Sequence, residues 1–240
     1  PRNVRTALEL FLLAPLAGAL FSGPVEAGGH LLWSSSSGNE GWSGKVVSIG
    51  AEGTQVFTKI GPFQDYSRIY SAFDQDPHAP IFQEYSVDTT FHHSVDSAES
   101  SDVHVAMYDV YADATLQMRR VHLKRFSLGN SAANWSYVFQ TLTNGHDSLR
   151  VRISRDGSRI VAVLHNNATN KEEVKVFTPG SSLPIREFLV DVGSPFRAID
   201  LSSDGTKLYV AGSIRIAVAD TNSGATLFSG IIFSTLYNGH

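Results

Sequence analysis

The sequence predicts an all-β fold built from repeated four-stranded antiparallel units, and three observations carry that expectation. Residues 144–164, NGHDSLRVRISRDGSRIVAVL, align without a gap on 192–212, VGSPFRAIDLSSDGTKLYVAG. In that alignment Gly145 meets Gly193, Ser154 meets Ser202, Asp156 meets Asp204 and Gly157 meets Gly205. TLTNGH (141–146) then recurs as TLYNGH (235–240), two such periods further along the chain. Finally, each unit contains four short, β-branched segments bounded by turn residues, as strands are. The first two are joined by Asp-Gly, where the carboxylate accepts backbone N–H bonds and glycine supplies positive φ.

A period of 40–50 residues with four strands per unit is the pattern of β-propeller blades. The elements follow in chain order. Arg2 and Arg5 precede the apolar run ALELFLLAPLAGALF (7–21), and SGPVEAGG follows it. A positive start, an apolar run and small residues at Val25 and Ala27 match a secretory signal peptide over 1–27, cleaved after Ala27. The alternative is a buried amphipathic helix. The run is too short to span a bilayer comfortably, and Glu9 and Pro15 oppose a membrane helix. The expectation is an exported mature chain, 28–240, in an extracellular, periplasmic or luminal space, with no membrane span.

Within 28–143 the blades are irregular. HLLWS, GKVVSIG and GTQVFTKI (30–60) read as three strands of a first blade. YSAFDQDPHAPIFQEYS (70–86) reads as strand A, turn and strand B, with Asp76-Pro77 in place of Asp-Gly. The step from Asp76 to Asp156 exceeds the regular one, from Asp156 to Asp204, by more than half. Either a stretch is inserted or a degenerate blade lies there. With strand C over 103–110 and strand D over 116–126, two long connections remain, 87–102 and 127–147. Long loops in a compact domain are more often functional than neutral, so they are expected to form a binding rim on one face.

The regular repeats, 144–191 and 192–238, divide more cleanly. Strand A is VRIS or AIDLS, and strand B is SRIVAVL or TKLYVAG. Strand C is EVKVFT (173–178) or IRIAVAD (214–220), and strand D is IREFLV (185–190) or ATLFSGII (225–232). Gly239-His240 stand where a further strand A is expected. At about 45 residues per blade, the mature chain makes an incomplete ring of four to five blades.

Three features carry a family resemblance. They are Gly-His ahead of strand A (Gly145-His146, Gly239-His240), Ser-x-Asp-Gly after it (154–157, 202–205), and DTNSGATL (220–227) after strand C. In these the chain resembles the WD40/YVTN-type β-propeller superfamily, most clearly over 144–240. It departs from the pattern at the end of strand C, where Val176-Phe177 and Ala219-Asp220 stand instead of Trp-Asp. The resemblance implies a propeller fold. It leaves function open, since propellers host both enzymes and binding scaffolds.

Composition narrows the chemistry. With no cysteine, disulfides, thiolate metal sites and a cysteine nucleophile are excluded. A formal net charge of −4 gives no basic excess for nucleic acid, and no nucleic-acid partner is expected. No HExxH, P-loop, GxSxG or dinucleotide fingerprint occurs. His92, His93 and Asp96, with Asp88 nearby, could offer imidazole and carboxylate groups on one loop to a ligand or partner, or form a solvated polar loop. Asp74, Asp76 and His78 read as turn chemistry, and His146-Asp147-Ser148 cannot fold onto itself as a triad. Trp135 and Tyr137 are either exposed anchors for a peptide or glycan, or an extra strand packed on a blade. Asn134-Trp-Ser136 and Asn167-Ala-Thr169 are N-glycosylation sequons.

Two functions follow from this reading. The first is a secreted β-propeller that presents loops on one face to a protein or ligand as a rigid scaffold, using no cofactor. The alternative is an extracytoplasmic propeller enzyme, a lactonase-like hydrolase or a dehydrogenase, with a divalent ion such as calcium at the central channel.

Overall fold

The computed structural model describes residues 42–231 apart from 51–54, 63–66, 74–79, 88–92, 114–117, 128–131 and 144–147. Side chains are described from Ser94 to Ile231, apart from 111–117, 128–131 and 142–147. The signal-peptide segment, HLLWS, Asp74, Asp76, His78, Asp88, His92, His146, Asp147 and Gly239-His240 lie outside the described residues.

Sixteen strands form four sheets among the described residues, each a four-stranded antiparallel meander in chain order. The first sheet holds β1 (Trp42–Gly50), β2 (Gln55–Pro62), β3 (Ser67–Phe73) and β4 (Pro80–Val87). The second holds β5 (His93–Ser97), β6 (His104–Asp113), β7 (Met118–Phe126) and β8 (Trp135–Thr143). The third holds β9 (Leu149–Ile153), β10 (Ile160–Asn166), β11 (Lys171–Phe177) and β12 (Arg186–Val190). The fourth holds β13 (Ala198–Leu201), β14 (Lys207–Ala211), β15 (Arg215–Asp220) and β16 (Thr226–Ile231). The first strands stand side by side, β5 against both β1 and β9, and β9 against β13. The sheets are the blades of an incomplete β-propeller.

Sequence alternation explains the packing, because successive side chains of a strand face opposite ways. In β10, Ile160, Ala162 and Leu164 join a core with Val105, Met107, Val121, Leu123 and Phe139 of the second sheet. Val161 and Val163 of the same strand point the other way. They join Val174, Val176, Ile199, Leu208, Val210, Ala217 and Ala219 between the third and fourth sheets. A strand buried on both faces reads as a continuous apolar run, and IVAVL does.

The Ser-x-Asp-Gly motif is a turn device. Ser154 Oγ donates to Asp156 Oδ1 at 2.7 Å and accepts the Arg159 N–H at 2.9 Å. The Ser158 N–H donates to Asp156 Oδ1 at 2.9 Å. The second copy repeats this, with Ser202 Oγ to Asp204 at 2.6 Å and the Lys207 N–H to Ser202 Oγ at 2.9 Å. These hydrogen bonds, that from Ser202 first, hold the Asp204 carboxyl down at about 2. Gly157 and Gly205 take φ of 77° and 70°. Each also leaves room for the neighbouring turn. A Cβ on Gly205 would lie 2.7 Å from Arg159 Cβ, and one on Gly157 would lie 2.2 Å from Ser101 Oγ. Backbone bonds run from turn to turn, Glu99 N–H to Arg155 O at 3.0 Å and Arg155 N–H to Ser203 O at 3.0 Å.

The eight strands expected of the two regular repeats form as the sequence predicts, and the irregular half requires three corrections. Residues 70–86 are not strands A and B. They fall on the third and fourth strands of the first sheet, β3 and β4. The segments expected as strands C and D, 103–110 and 116–126, are the second and third strands, β6 and β7. The two long loops are not loops, since 87–102 contains β5 and 127–147 contains β8. A degenerate turn hides the repeat. The Ala98 N–H donates to Val103 O at 2.9 Å, as Ser154 does to Arg159 and Ser202 to Lys207. All three turns have one length, and Ser100-Ser101 stand where the later copies have Asp-Gly.

Gly205→Ala should therefore destabilise the fold by about 1–3 kcal/mol, because the new Cβ meets both a left-handed backbone and Arg159. The check is a lower denaturation midpoint at unchanged m-value. Excision of 89–100 removes β5 and should abolish cooperative unfolding, measured by circular dichroism; a cooperatively folded deletion protein would refute the assignment of β5.

Candidate functional site

The residues singled out from sequence are not brought together. His93 and Asp96 both lie on β5. Asp96 Oδ2 accepts the Ile153 N–H at 2.8 Å, and Ser94 Oγ accepts the Val151 N–H at 3.1 Å. Both acceptors belong to the first strand of one sheet and both donors to the first strand of the next. Asp96 thus ties two blades. Among the described residues no group of three or more His, Asp or Glu side chains is placed to hold a metal ion.

Trp135 and Tyr137 project from β8. Trp135 Nε1 donates to Pro179 O at 2.9 Å, and its indole stacks on Phe177 at 5.6 Å. Tyr137 meets Phe177 and Phe139 edge-on at 5.1 and 5.3 Å. Lys175 Nζ sits 5.7 Å from the Tyr137 ring and 5.6 Å from that of Phe139. Lys175 also pairs with Glu173 at 3.0 Å and with Glu187, and Thr141 Oγ1 donates to Glu173. Both rings thus pack on Phe177 of the third sheet from β8, the fourth strand of the second.

The ionisable groups deepest in the fold are ones that sequence reasoning missed. His165 Nδ1 lies 3.1 Å from Glu172 Oε1, and both residues are buried. They face each other across β10 and β11. The Phe196 backbone N–H, on the connection into the fourth sheet, is hydrogen-bonded to the same carboxyl. Burial, aided by Asp191, pushes the Glu172 carboxyl up to about 8, and burial lowers His165. The available signal is alternation: Glu172 shares a face with Val174 and Val176, so it must enter the core between sheets. His104 is a second buried imidazole, 2.8 Å from Ser97 Oγ and held down at about 4 by burial. Asp109 and Arg119 form a buried ion pair at 3.2 Å. Each of these groups is engaged within the fold.

Three exposed apolar side chains stand at the outer edge of the third sheet. Leu183 is 72% exposed, and Ile185 and Leu189 are each 46% exposed. They lie on the turn entering β12 and on β12 itself, the last strand of the third sheet. Ser181 Oγ accepts the Leu183 N–H at 3.0 Å, and the Ile185 N–H donates to Val176 O at 2.7 Å. The turn is therefore anchored at its base while its side chains stand free. The two sequon asparagines, Asn134 and Asn167, are exposed.

No family model matches the chain, and no curated protein matches it. Solved structures do. Kluyveromyces lactis Hsv2 is 18% identical at a TM-score of 0.45, over 74% of this chain and 49% of that one. The Cps50 (Swd1) β-propeller domain of Myceliophteria thermophila is 10% identical at 0.46, over 74% and 53%. A nidogen/laminin complex matches at 9% and 0.47, over 78% and 63%. The chain spans about half the length of the Hsv2 structures it matches. The likeness is one of fold.

The buried pair gives stability a definite pH dependence. Glu172 keeps its proton in the folded state up to about 8 and loses it near 4.5 when unfolded. Its stabilising contribution is complete below 4.5 and is lost as pH rises towards 8. The buried histidines act oppositely, losing stability as pH falls below 6.5. Between pH 7 and 8, among the described groups, the Glu172 effect stands nearly alone, with a slope of at most about 1.4 kcal/mol per pH unit. Glu172→Gln should flatten that slope in urea titrations at pH 7.0, 7.5 and 8.0.

Proposed function

We propose that this protein is an exported β-propeller scaffold that binds another protein through the apolar outer edge of its third blade. The observation that carries the reading is the exposure of Leu183 and Ile185 on a turn whose backbone is fixed from below, and of Leu189 on the strand β12 that follows it. Exposed apolar side chains grouped on one element mark interaction surfaces more often than chance placement. A surface held by a packed sheet loses little conformational freedom on binding. The inner polar groups support the same division, since they hold sheet to sheet and the outer strands keep their side chains for a partner. The signal-peptide pattern over 1–27 supports export.

Leu183→Asp and Ile185→Asp should leave the unfolding free energy within about 0.5 kcal/mol of the parent, because both side chains are exposed. The same changes should abolish capture of a partner that the parent chain binds and that is identified by cross-linking. Retained capture by both variants would refute this surface. Chelation provides a second check: a scaffold should melt at one temperature with and without EDTA. A rise in Tm with calcium would instead favour the channel-site enzyme.

A further inference from the structure

The hairpin joining β10 to β11 carries Asn167-Ala168-Thr169, an acceptor motif that the proposed scaffold role leaves unused. Asn166 and Lys171 form its closing pair, so 167–170 make a four-residue loop. All four residues are exposed. Flanking asparagines shape the turn. Asn166 Oδ1 accepts the Ala168 N–H at 3.0 Å and the Thr169 N–H at 3.2 Å. Asn170 takes a left-handed φ of 52°, which asparagine tolerates better than most residues. The motif between them sits at an exposed tip on a shaped backbone.

The other acceptor motif, Asn134-Trp135-Ser136, is placed differently. Asn134 is exposed, but its backbone N–H donates to Arg125 O at 2.8 Å. Trp135 and Ser136 already belong to β8 and pair with Arg125 and Lys124 of β7. The Trp135 indole is held on Phe177 and Pro179. A modifying enzyme must draw its acceptor into a groove of its own. A hairpin tip lifts at little cost, as tips tolerate nicking and insertion. Releasing Trp135 and Ser136 instead peels a strand from its sheet and an indole from the next one.

Position along the third sheet separates the two motifs further. The rungs from Ile160–Phe177 to Asn166–Lys171 span about 20 Å. Leu183 and Ile185 lie on the turn beyond the Phe177 end, and Asn167 lies beyond the Lys171 end. A bulky hydrophilic chain on Asn167 leaves that apolar turn clear. One on Asn134 would stand at the same end as the turn, because Trp135 beside it touches Pro179.

We propose that Asn167 is the N-glycan attachment site of this chain, an assignment that rests on the export reading above. The donor is an oligosaccharide carried on a lipid diphosphate. In the transfer Asn167 Nδ2 displaces the diphosphate at the anomeric carbon of the first sugar. A C–N bond forms, the C–O bond to phosphate breaks, the amide gives up one proton, and the lipid diphosphate leaves. The glycan is a bulky, solubilising surface group, and it confines partner approach to the opposite end of the sheet.

The test is expression of the full chain in cultured mammalian cells, once from its own start and once behind a supplied cleavable secretory leader. Gel mobility is read in lysate and medium, before and after a peptide N-glycosidase. Asn167→Gln and Thr169→Ala should each remove the glycosidase-sensitive shift, Thr169→Ser should keep it, and Asn134→Gln should leave it unchanged. Deglycosylation in heavy-oxygen water should mark residue 167 by peptide mass. Residues 134, 167 and 169 are exposed, and circular dichroism confirms the fold of each variant. With the supplied leader cleaved, an unmodified Asn167 overturns the proposal, as does a glycan on Asn134 alone. A shift with the supplied leader and none from the chain's own start upholds Asn167 and counts against export directed by 1–27.

Discussion

The second and third sheets bury apolar side chains on both faces, and the packing of the described sheets follows from that constraint. Burying a valine or leucine side chain fully is worth roughly 1.5–3 kcal/mol. In β10 alone Ile160, Val161, Ala162, Val163 and Leu164 are all buried. A sheet of this kind standing by itself would leave one whole set in water. Stability therefore resides between sheets rather than within them, and each sheet depends on its neighbours, as in repeat proteins generally.

Two polar devices make the stacking specific where apolar contact alone would be permissive. The first is the turn between the first two strands, whose glycines admit the adjacent turn at distances no side chain would allow. The second is the line of first strands, in which Ser94 and Asp96 accept backbone N–H groups of β9. Both act at the inner end of the sheets and fix how far one slides along the next. The buried Asp109–Arg119 ion pair adds little net stability, since desolvation offsets much of its attraction, and His165–Glu172 is a contact between groups that burial keeps neutral. They do penalise misregistry, because a shifted sheet would strand a buried ionisable group.

The same constraint explains what can be read from the sequence. The third and fourth sheets are legible because IVAVL and KLYVA lie beside an Asp-Gly turn that advertises the hairpin. The second sheet is obscure because its first strand, HSVDS, has no apolar signature. Ser94 and Asp96 occupy every second position there, for the reason that they bond to the next strand's backbone. Its turn, Ala98 to Val103, lacks glycine yet has the same length and closure. Trp135 and Tyr137 resemble ligand anchors because aromatic residues serve packing and binding equally. Only the position of Phe177, on the third strand of the next sheet, separates the two. The His165–Glu172 pair is legible in principle, since Glu172 alternates in phase with Val174 and Val176.

Polarity is graded across the sheets. Inner strands satisfy their polar side chains on neighbouring backbone, and middle strands bury charges in pairs. The outermost strands differ. In β12, Glu187 reaches the buried Lys175 from an exposed position, and Leu189, two residues on and on the same face, is half exposed as well. A buried lysine needs a carboxylate partner, and β12 supplies it. Nothing within the sheet requires the leucine, because the core beneath is already closed by Leu164 and Phe177. Exposed Leu183 and Ile185 on the preceding turn stand in the same position, beyond the reach of any described core. Apolar residues that folding does not need, on backbone that folding holds still, are the combination on which recognition by a partner can be built.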